Sequence, residues 1–325
     1  MAKDQGDRHF IGVDLGGTNI QTGVLDGKDK IVGRSKTKTK AEQGSDEVIK
    51  RIVKSVNDAI DDAKLKLDDV AGLGIGAPGA ADYKKGVVIN AVNLRWNNFP
   101  LAKELEKALK LPVTIDNDVN VGVWGEHVAG AGKGFDEMIG VFVGTGIGGG
   151  LVLRGTLYHG HFLTAGEIGH TVVHGDAPLG RRTLENCASR TNVVNLLTQL
   201  ILANHESKVL DITDGNLGDI RSKTLSKAVA DKDKLTIEVI RSTARYVGVS
   251  IANMVTMLSL PCAVVGGGLT EALGDTYVDW VREAFDDAVF PPELKACKVL
   301  ASKLGDDAGV IGAALIARER LGGKR

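Results

Sequence analysis

The sequence predicts an α/β protein built from two domains, and three observations carry that prediction. The chain has 325 residues, 43% hydrophobic and 25% charged, which is longer than one small core requires and typical of folded globular chains. Short apolar runs ending in glycine alternate with stretches of helical periodicity. The segment IGVDLGGTNIQTGVLDG, from Ile11, also aligns without a gap on IGVFVGTGIGGGLVLRG, from Ile139, so a strand, glycine turn and strand occur twice. Two domains that each open with such a hairpin would present two sets of backbone N–H groups to one anionic ligand held between them.

From Phe10, apolar runs broken by Gly-Gly-Thr and Asp-Gly read as antiparallel strands joined by tight turns. Val48, Ile49, Ile52, Val53, Val56, Ala59, Ile60 and Ala63 then recur at helical spacing. Ser45, Asp46 and Glu47 before them predict a capped, dipole-compensated start. VAGLGIGAPG reads as a buried strand entering a glycine- and proline-rich loop, KELEKALKL as a helix, and PVTID as the strand after it. VNVGVWGEHV has a helical pattern. From about Arg190 to Leu258 the chain is mostly helical, with the polar segment DITDGNLGD as a surface loop. Pro261 introduces CAVVGGG, a strand before another helix, and GDDAGVIGAALIARERL closes the chain as a helix behind acidic caps.

Bulk properties exclude several classes. A formal net charge of -1 provides no basic surface for counterion release, so nucleic acid is not an expected partner. MAKDQGDRHF has no apolar signal core, and no stretch approaches the roughly 20 apolar residues that span a bilayer. The expected location is cytoplasmic. Cys187, Cys262 and Cys297 lie far apart without CxxC spacing, which suits buried thiols in a reducing compartment rather than a disulfide framework.

Four segments carry chemistry. Asp14-Leu15-Gly16-Gly17-Thr18-Asn19 ends a strand where glycines let backbone approach phosphate oxygens and a carboxylate can hold hydrated magnesium, although an ordinary hairpin turn would look the same. Gly144-Thr145-Gly146-Ile147-Gly148-Gly149-Gly150 sets five glycines around a threonine, a cost in backbone entropy that close phosphate contact would explain. Gly266-Gly267-Gly268 suits a flat adenine or its ribose, or else a purely steric strand-to-helix turn. Asp116-Asn117-Asp118 lies at a strand's carboxyl end ahead of a helix. One of its side chains can cap that helix, while Asp118 suits the base that accepts a hydroxyl proton and Asn117 a group that orients the substrate. Glu167, His170 and Glu185 could fix vicinal hydroxyls of a polyol. His159, His161 and His174 read as surface polarity, since no cysteine or carboxylate sits among them at metal-ligand spacing.

Taken in order, DLGGT, GAPG, NLRW, DNDVN, GTGIGGG, GEIGH and VVGGG resemble the ROK family of bacterial sugar kinases and repressors from about Phe10 to the C-terminus, and they fit its glucokinase members best. The resemblance implies the actin-like, ribonuclease H-like ATPase fold. Its two α/β domains, 1–118 with 306–325 and 119–305, would lie around a central cleft. It implies an ATP-dependent hexose kinase with Asp118 as catalytic base. Gly79, Asn93, Asn117, Asp118, Glu167, His170 and Glu185 would face the sugar. Gly16, Gly17, Thr18, Asn19, Thr145 and Gly146 would handle ATP phosphates, with Asp14 holding magnesium through water and Gly267 and Gly268 beside adenosine. Glucose is the first expected acceptor. N-acetylmannosamine, N-acetylglucosamine, fructose and mannose are alternative acceptors, and polyphosphate is an alternative donor. A homodimer is common among relatives and expected here.

One departure stands out. Many members follow the GH motif with a CxCGxxGCxE zinc segment, whereas this chain has APLGRRTLE, cysteine-free and one residue shorter. The structural zinc is therefore expected to be absent, His170 alone being too few ligands. A site rebuilt from His170, His174 and Cys187 is the alternative. The family's repressors carry an added helix-turn-helix domain, for which the residues before Phe10 are expected to leave no room; a sugar-sensing regulator without a DNA-binding domain is the alternative function.

Overall fold

The computed structural model describes residues 8–322, so the reading of the first residues as free of a signal core falls largely outside the described residues. The chain forms two compact units. The first runs through Gly134 and takes in Thr156–Ala165 and the chain from Asp306 onward; the second comprises Phe135–Gly155 and Gly166–Gly305.

In the first unit the order is β1 (His9–Leu15), β2 (Asn19–Leu25), β3 (Ile31–Lys38), α1 (Ser45–Asp62) and β4 (Val70–Ala77). It continues with β5 (Ala80–Asp82), β6 (Val87–Ala91), β7 (Trp96–Phe99), α2 (Leu101–Leu109), β8 (Val113–Asn117) and α3 (Asp118–Val128). The main sheet runs β3-β2-β1-β4-β8, with β1–β2 and β2–β3 antiparallel and β1–β4 and β4–β8 parallel. β4 is buried at nearly every position, as expected of a parallel strand covered on both faces. The three short strands β5, β6 and β7 form a separate antiparallel sheet, which sequence patterning did not reveal.

The C-terminal helix, Ala308–Leu321, is buried nearly all round, so it belongs inside a layer rather than on a surface. It lies against β1 and α3 with almost no side chain between the backbones. A methyl group on Gly12 would sit 1.8 Å from the Val310 carbonyl oxygen, and one on Gly312 would sit 1.6 Å from that of Val121. This packing groups α3 with the first unit, so the division falls after Gly134 rather than at residue 118. The two expected helix starts also differ from prediction. The N-cap of α1 is Gly44, with no side-chain cap. Asp307 precedes the C-terminal helix without capping it and instead takes a bidentate contact from Arg34, at 2.5 and 2.9 Å.

The second unit repeats the plan. After β9 (Met138–Val143) and β10 (Ile147–Leu153), β11 (Thr156–Tyr158) lies in the excursion grouped with the first unit. Next come α4 (Leu184–Ala188), α5 (Arg190–Leu202), α6 (Val209–Ile212), α7 (Ser222–Ala230) and α8 (Lys234–Leu258). β12 (Cys262–Gly266), α9 (Gly268–Leu273), α10 (Asp275–Ala288) and β13 (Lys298–Ala301) complete it. β9 pairs antiparallel with β10 and parallel with β12, which pairs parallel with β13. The sequence repeat is thus a repeat of topology. Among the described residues no helix is long and apolar enough to cross a membrane. Cys262 and Cys297 are buried, and burial raises their thiols to about 12 and about 11, whereas Cys187 is only half-buried.

Candidate active site

In the first unit the predicted residues gather at the ends of β1, β4 and β8. Asn117 caps α3: its Oδ1 accepts from Val119 N at 2.9 Å and Asn120 N at 3.0 Å. Its Nδ2 donates to Gly79 O at 2.9 Å and to Asp118 Oδ1 at 3.0 Å. These four bonds use the whole capacity of a carboxamide, so a sugar hydroxyl would reach Asn117 only by sharing or replacing one of them. Capping and orientation of Asp118 are therefore performed by the same side chain. Asp118 Oδ1 also accepts from Val119 N at 2.9 Å, which leaves a half-buried carboxylate held by two donors at the first turn of a helix. Gly79 is left-handed, with φ of 83°, and that turn aims its carbonyl at Asn117.

Asp116 is held still more tightly. It accepts from Arg320 Nη2 at 2.6 Å and Asn120 Nδ2 at 3.1 Å, and it pairs with His159 Nε2 at 2.8 Å. Tyr83 stacks on His159 with centroids 4.1 Å apart, and the Arg320 guanidinium lies 4.4 Å from the centre of the Tyr83 ring. Burial pushes the Asp116 carboxyl up, but the His159 hydrogen bond and the Arg320 charge outweigh it and leave the group below the usual carboxylate range. His159 is therefore a buried partner of the strand preceding Asp118, not surface polarity as expected. His161 and His174 lie elsewhere, edge-on to Phe162 and bonded to Tyr246 Oη at 2.8 Å respectively.

The first glycine turn is closed by Gly16 N donating to Asn19 O at 2.9 Å. Thr39, fully buried, ties it down: its Oγ1 donates to Gly16 O at 2.6 Å and its N to Thr18 O at 2.9 Å. Gly17 and Thr18 are exposed, and the Asn93 side chain packs against Gly17. Asp14 lies just before the turn, where burial first and the Asp306 charge second raise its carboxyl to about 6 against a smaller lowering by Lys36. A buried carboxyl whose ionisation is opposed by a neighbouring acidic charge fits a cation of the magnesium kind, which takes oxygen ligands and keeps much of its water.

In the second unit the glycine turn is closed by Gly144 N donating to Gly146 O at 2.9 Å. The start of α5 grips it. Arg190 N donates to Gly144 O at 2.9 Å, Thr191 Oγ1 to Thr145 O at 2.7 Å, and Arg190 Nη2 to Thr145 Oγ1 at 2.9 Å. Glu185 Oε2 accepts from Ile147 N at 2.8 Å, so this predicted sugar ligand has one oxygen fixed against the turn. Not all five glycines can serve phosphate: Gly149 is covered by Gly166 O and Ile168. That contact seats the short 3-10 turn Ile168–His170, with Ile168 buried and Glu167 and His170 exposed. Gly267, with φ of 85°, packs on the backbone of Val143, and Gly268 lies beside Arg190. The second and third glycine motifs therefore converge.

The stretch replacing the family's zinc segment is closed by protein bonds. Val173 N and His174 N donate to Arg182 O at 2.8 and 3.1 Å, and Arg182 Nε donates to Ala177 O at 2.5 Å. Cys187 Sγ donates to Arg181 O at 3.4 Å. Among the described residues no group of three or more His, Cys, Asp or Glu side chains is arranged to hold a metal ion, which includes the alternative set His170, His174 and Cys187. Sequence reasoning missed Thr39, Arg190, Arg320 and the pairing of His159. The arginines lie in helical patterns and Thr39 at a strand end, with no local signal of a distant partner.

The model of the ROK family matches residues 10–320. The chain is 33% identical over 319 residues to a glucokinase of Halalkalibacterium halodurans, covering 97% of this chain and 96% of that one. It is 33% identical over 319 residues to a glucokinase of Thermotoga maritima, covering 97% and 98%. Among solved structures it is similar to a ROK family glucokinase from Streptomyces griseus in complex with glucose and AMPPNP, at 32% identity and a TM-score of 0.86, covering 96% and 99%.

Proposed function

The chain belongs to the ROK family, with its actin-like ATPase fold, and from that premise we propose that it phosphorylates a hexose at the expense of ATP, converting glucose to glucose 6-phosphate. The observation that carries this reading is the chain of contacts from Gly79 through Asn117 to Asp118. It fixes a carboxylate beyond the carboxyl end of a parallel strand, where open α/β sheets bind ligands. Similarity to a glucokinase solved with glucose and AMPPNP supports the choice of substrates.

In the reaction the sugar's 6-hydroxyl oxygen attacks the terminal phosphorus, its proton passes to Asp118, and the bond from that phosphorus to the ADP oxygen breaks. Asn117 and Val119 N hold Asp118 still while this happens. Gly79, Asn93, Glu167, His170 and Glu185 line the sugar, with Asn117 acting mainly through Asp118. Gly16, Gly17, Thr18 and Asn19, together with Thr145 and Gly146, meet the phosphates, and Gly267 and Gly268 lie by adenosine. Asp14, next to the Asp306 charge, would hold hydrated magnesium, which when bound neutralises charge on the nucleotide phosphates. The glycines at 267 and 268 favour ATP over polyphosphate, which has no adenosine to seat. We read the enzyme as a cytoplasmic homodimer without the family's structural zinc, to be checked by sedimentation and metal analysis.

The test is release of ADP over a panel of glucose, mannose, fructose, N-acetylglucosamine and N-acetylmannosamine, repeated with Asp118→Asn. Glucose should be the best acceptor. The variant should lose about two to four orders of magnitude in turnover while its glucose affinity stays within about threefold. No ADP formation with any sugar, or unchanged turnover in the variant, would overturn the reading.

A further inference from the structure

We propose that Arg190 is a nucleotide-binding residue whose guanidinium contacts the phosphates nearest the ribose, an inference that rests on the kinase reading above. Three observations converge on it. The first is position. Nη2 donates to Thr145 Oγ1 at 2.9 Å, and Nη1 lies 3.3 Å from where a β-carbon on Gly268 would stand. One guanidinium thus stands beside both the turn read as holding phosphates and the glycine read as lying by adenosine, and the nucleotide's anionic linker joins those two parts.

The second observation is charge. The side-chain partners of Arg190 are neutral hydroxyls, Thr145 and Ser222 at 2.9 and 3.0 Å, and among the described residues no carboxylate lies within ion-pair distance of it. A guanidinium offers five N–H donors and stays charged at any physiological pH. Two hydroxyl contacts orient the group without neutralising it, the arrangement expected where phosphate supplies the opposite charge. The third is the local field. Glu185 Oε2, bonded to Ile147 N at 2.8 Å, sets a negative charge against the same turn, and a phosphate approaching Gly146 needs a compensating cation nearby. Arg190 is half-buried and anchored through its own backbone N to Gly144 O at 2.9 Å, so the charge is held in place.

The experiment measures binding of ADP and of adenosine by calorimetry to the full-length wild type, Arg190→Gln, Arg190→Lys and Ser222→Ala, alongside KM for ATP and for sugar. Glutamine keeps donors for the hydroxyls but loses the charge. Arg190→Gln should bind ADP about tenfold or more weaker, as expected for loss of a charge-assisted contact. Adenosine affinity and the KM for sugar should stay within about twofold. Arg190→Lys should recover part of the ADP affinity, and Ser222→Ala, which keeps the charge, should stay within about threefold of wild type. Equal weakening of ADP and adenosine, an unchanged ADP affinity, or a Ser222→Ala loss as large as that of Arg190→Gln would assign Arg190 to bracing alone and overturn the proposal. A wild type that forms no ADP and binds neither ligand would overturn the kinase reading together with it. A wild type that turns over normally beside an unaffected Arg190→Gln would overturn only the role of Arg190.

Discussion

At Asp14, burial and the Asp306 charge both oppose ionisation, and the carboxyl titrates near 6 rather than near 3.8. Because the folded value lies above the unfolded one, the native chain holds an extra proton between those pH values, and stability without metal falls as pH rises through that window. Asp14→Asn removes the effect. Measured by urea unfolding in chelator, the variant should exceed the wild type at pH 7.5 by on the order of 3 kcal/mol, and the gap should close below pH 4. Magnesium should narrow the gap at pH 7.5 by stabilising the wild type alone. A variant less stable than wild type at pH 7.5 would remove the argument. Asp116 behaves oppositely: its lowered carboxyl contributes stability above the unfolded value, and that contribution is lost as pH falls through the folded one. Of these residues the sequence singled out Asp14 and Asp118, which sit at strand ends beside glycine or in an acidic cluster. It did not disclose His159, Arg320 or Thr39, whose partners lie 43, 204 and 23 residues away. Nothing local to those positions marks such a contact.

Between elements, the duplicated hairpin was legible because its glycines and apolar residues recur in the same order, and the structure adds a difference that a gap-free alignment conceals. β1 and β2 pair through Leu15 and Ile20, while β9 and β10 pair through Val143 and Ile147, so the second turn is one residue tighter. The first is tied by Thr39 and the second by α5. Glycines were harder to assign, since the same residue type serves ligand approach and backbone packing. Gly149 proved to be packing, covered by the turn that carries Glu167 and His170. The C-terminal helix shows the packing role most sharply. Gly312→Ala would drive a methyl group to 1.6 Å from Val121 O, whereas Gly175→Ala meets nothing within 4 Å. Denaturant unfolding should show a loss of about 3 kcal/mol or more for Gly312→Ala, because the obstacle is backbone and cannot rotate away. Gly175→Ala should fall within about 0.5 kcal/mol of wild type. Similar stabilities for the two would mean that α3 and the C-terminal helix are farther apart than this packing implies.

Across the whole molecule the chain order and the spatial order disagree, since residues from Asp306 onward complete the unit that the N-terminus begins. Alternating strands and helices announced two α/β layers, but no periodicity could announce which layer a final helix joins. From Val310 to Ala317 that helix is buried on every side, so its burial fixes its existence, while glycines at positions 12 and 125 on β1 and α3 fix where it sits. A first unit without it would expose the faces of β1, β4 and α3 to water, and its apolar core would no longer be closed. The three tryptophans report this by position. Trp96 and Trp124 are buried in the first unit, and Trp280 lies on α10 of the second. Deleting residues 306–325 should therefore red-shift emission from Trp96 and Trp124 while a Trp280-only version of the truncated chain, with phenylalanine at 96 and 124, keeps its full-length spectrum. Adding the 306–325 peptide in trans should reverse part of the shift, since the packing and the ion pairs it restores, Arg320 to Asp116 among them, need no covalent link. If the truncated chain retained the full-length emission and a single cooperative unfolding transition, the first unit would be complete without its final helix, and the packing of Gly12 and Gly312 could not be what closes it.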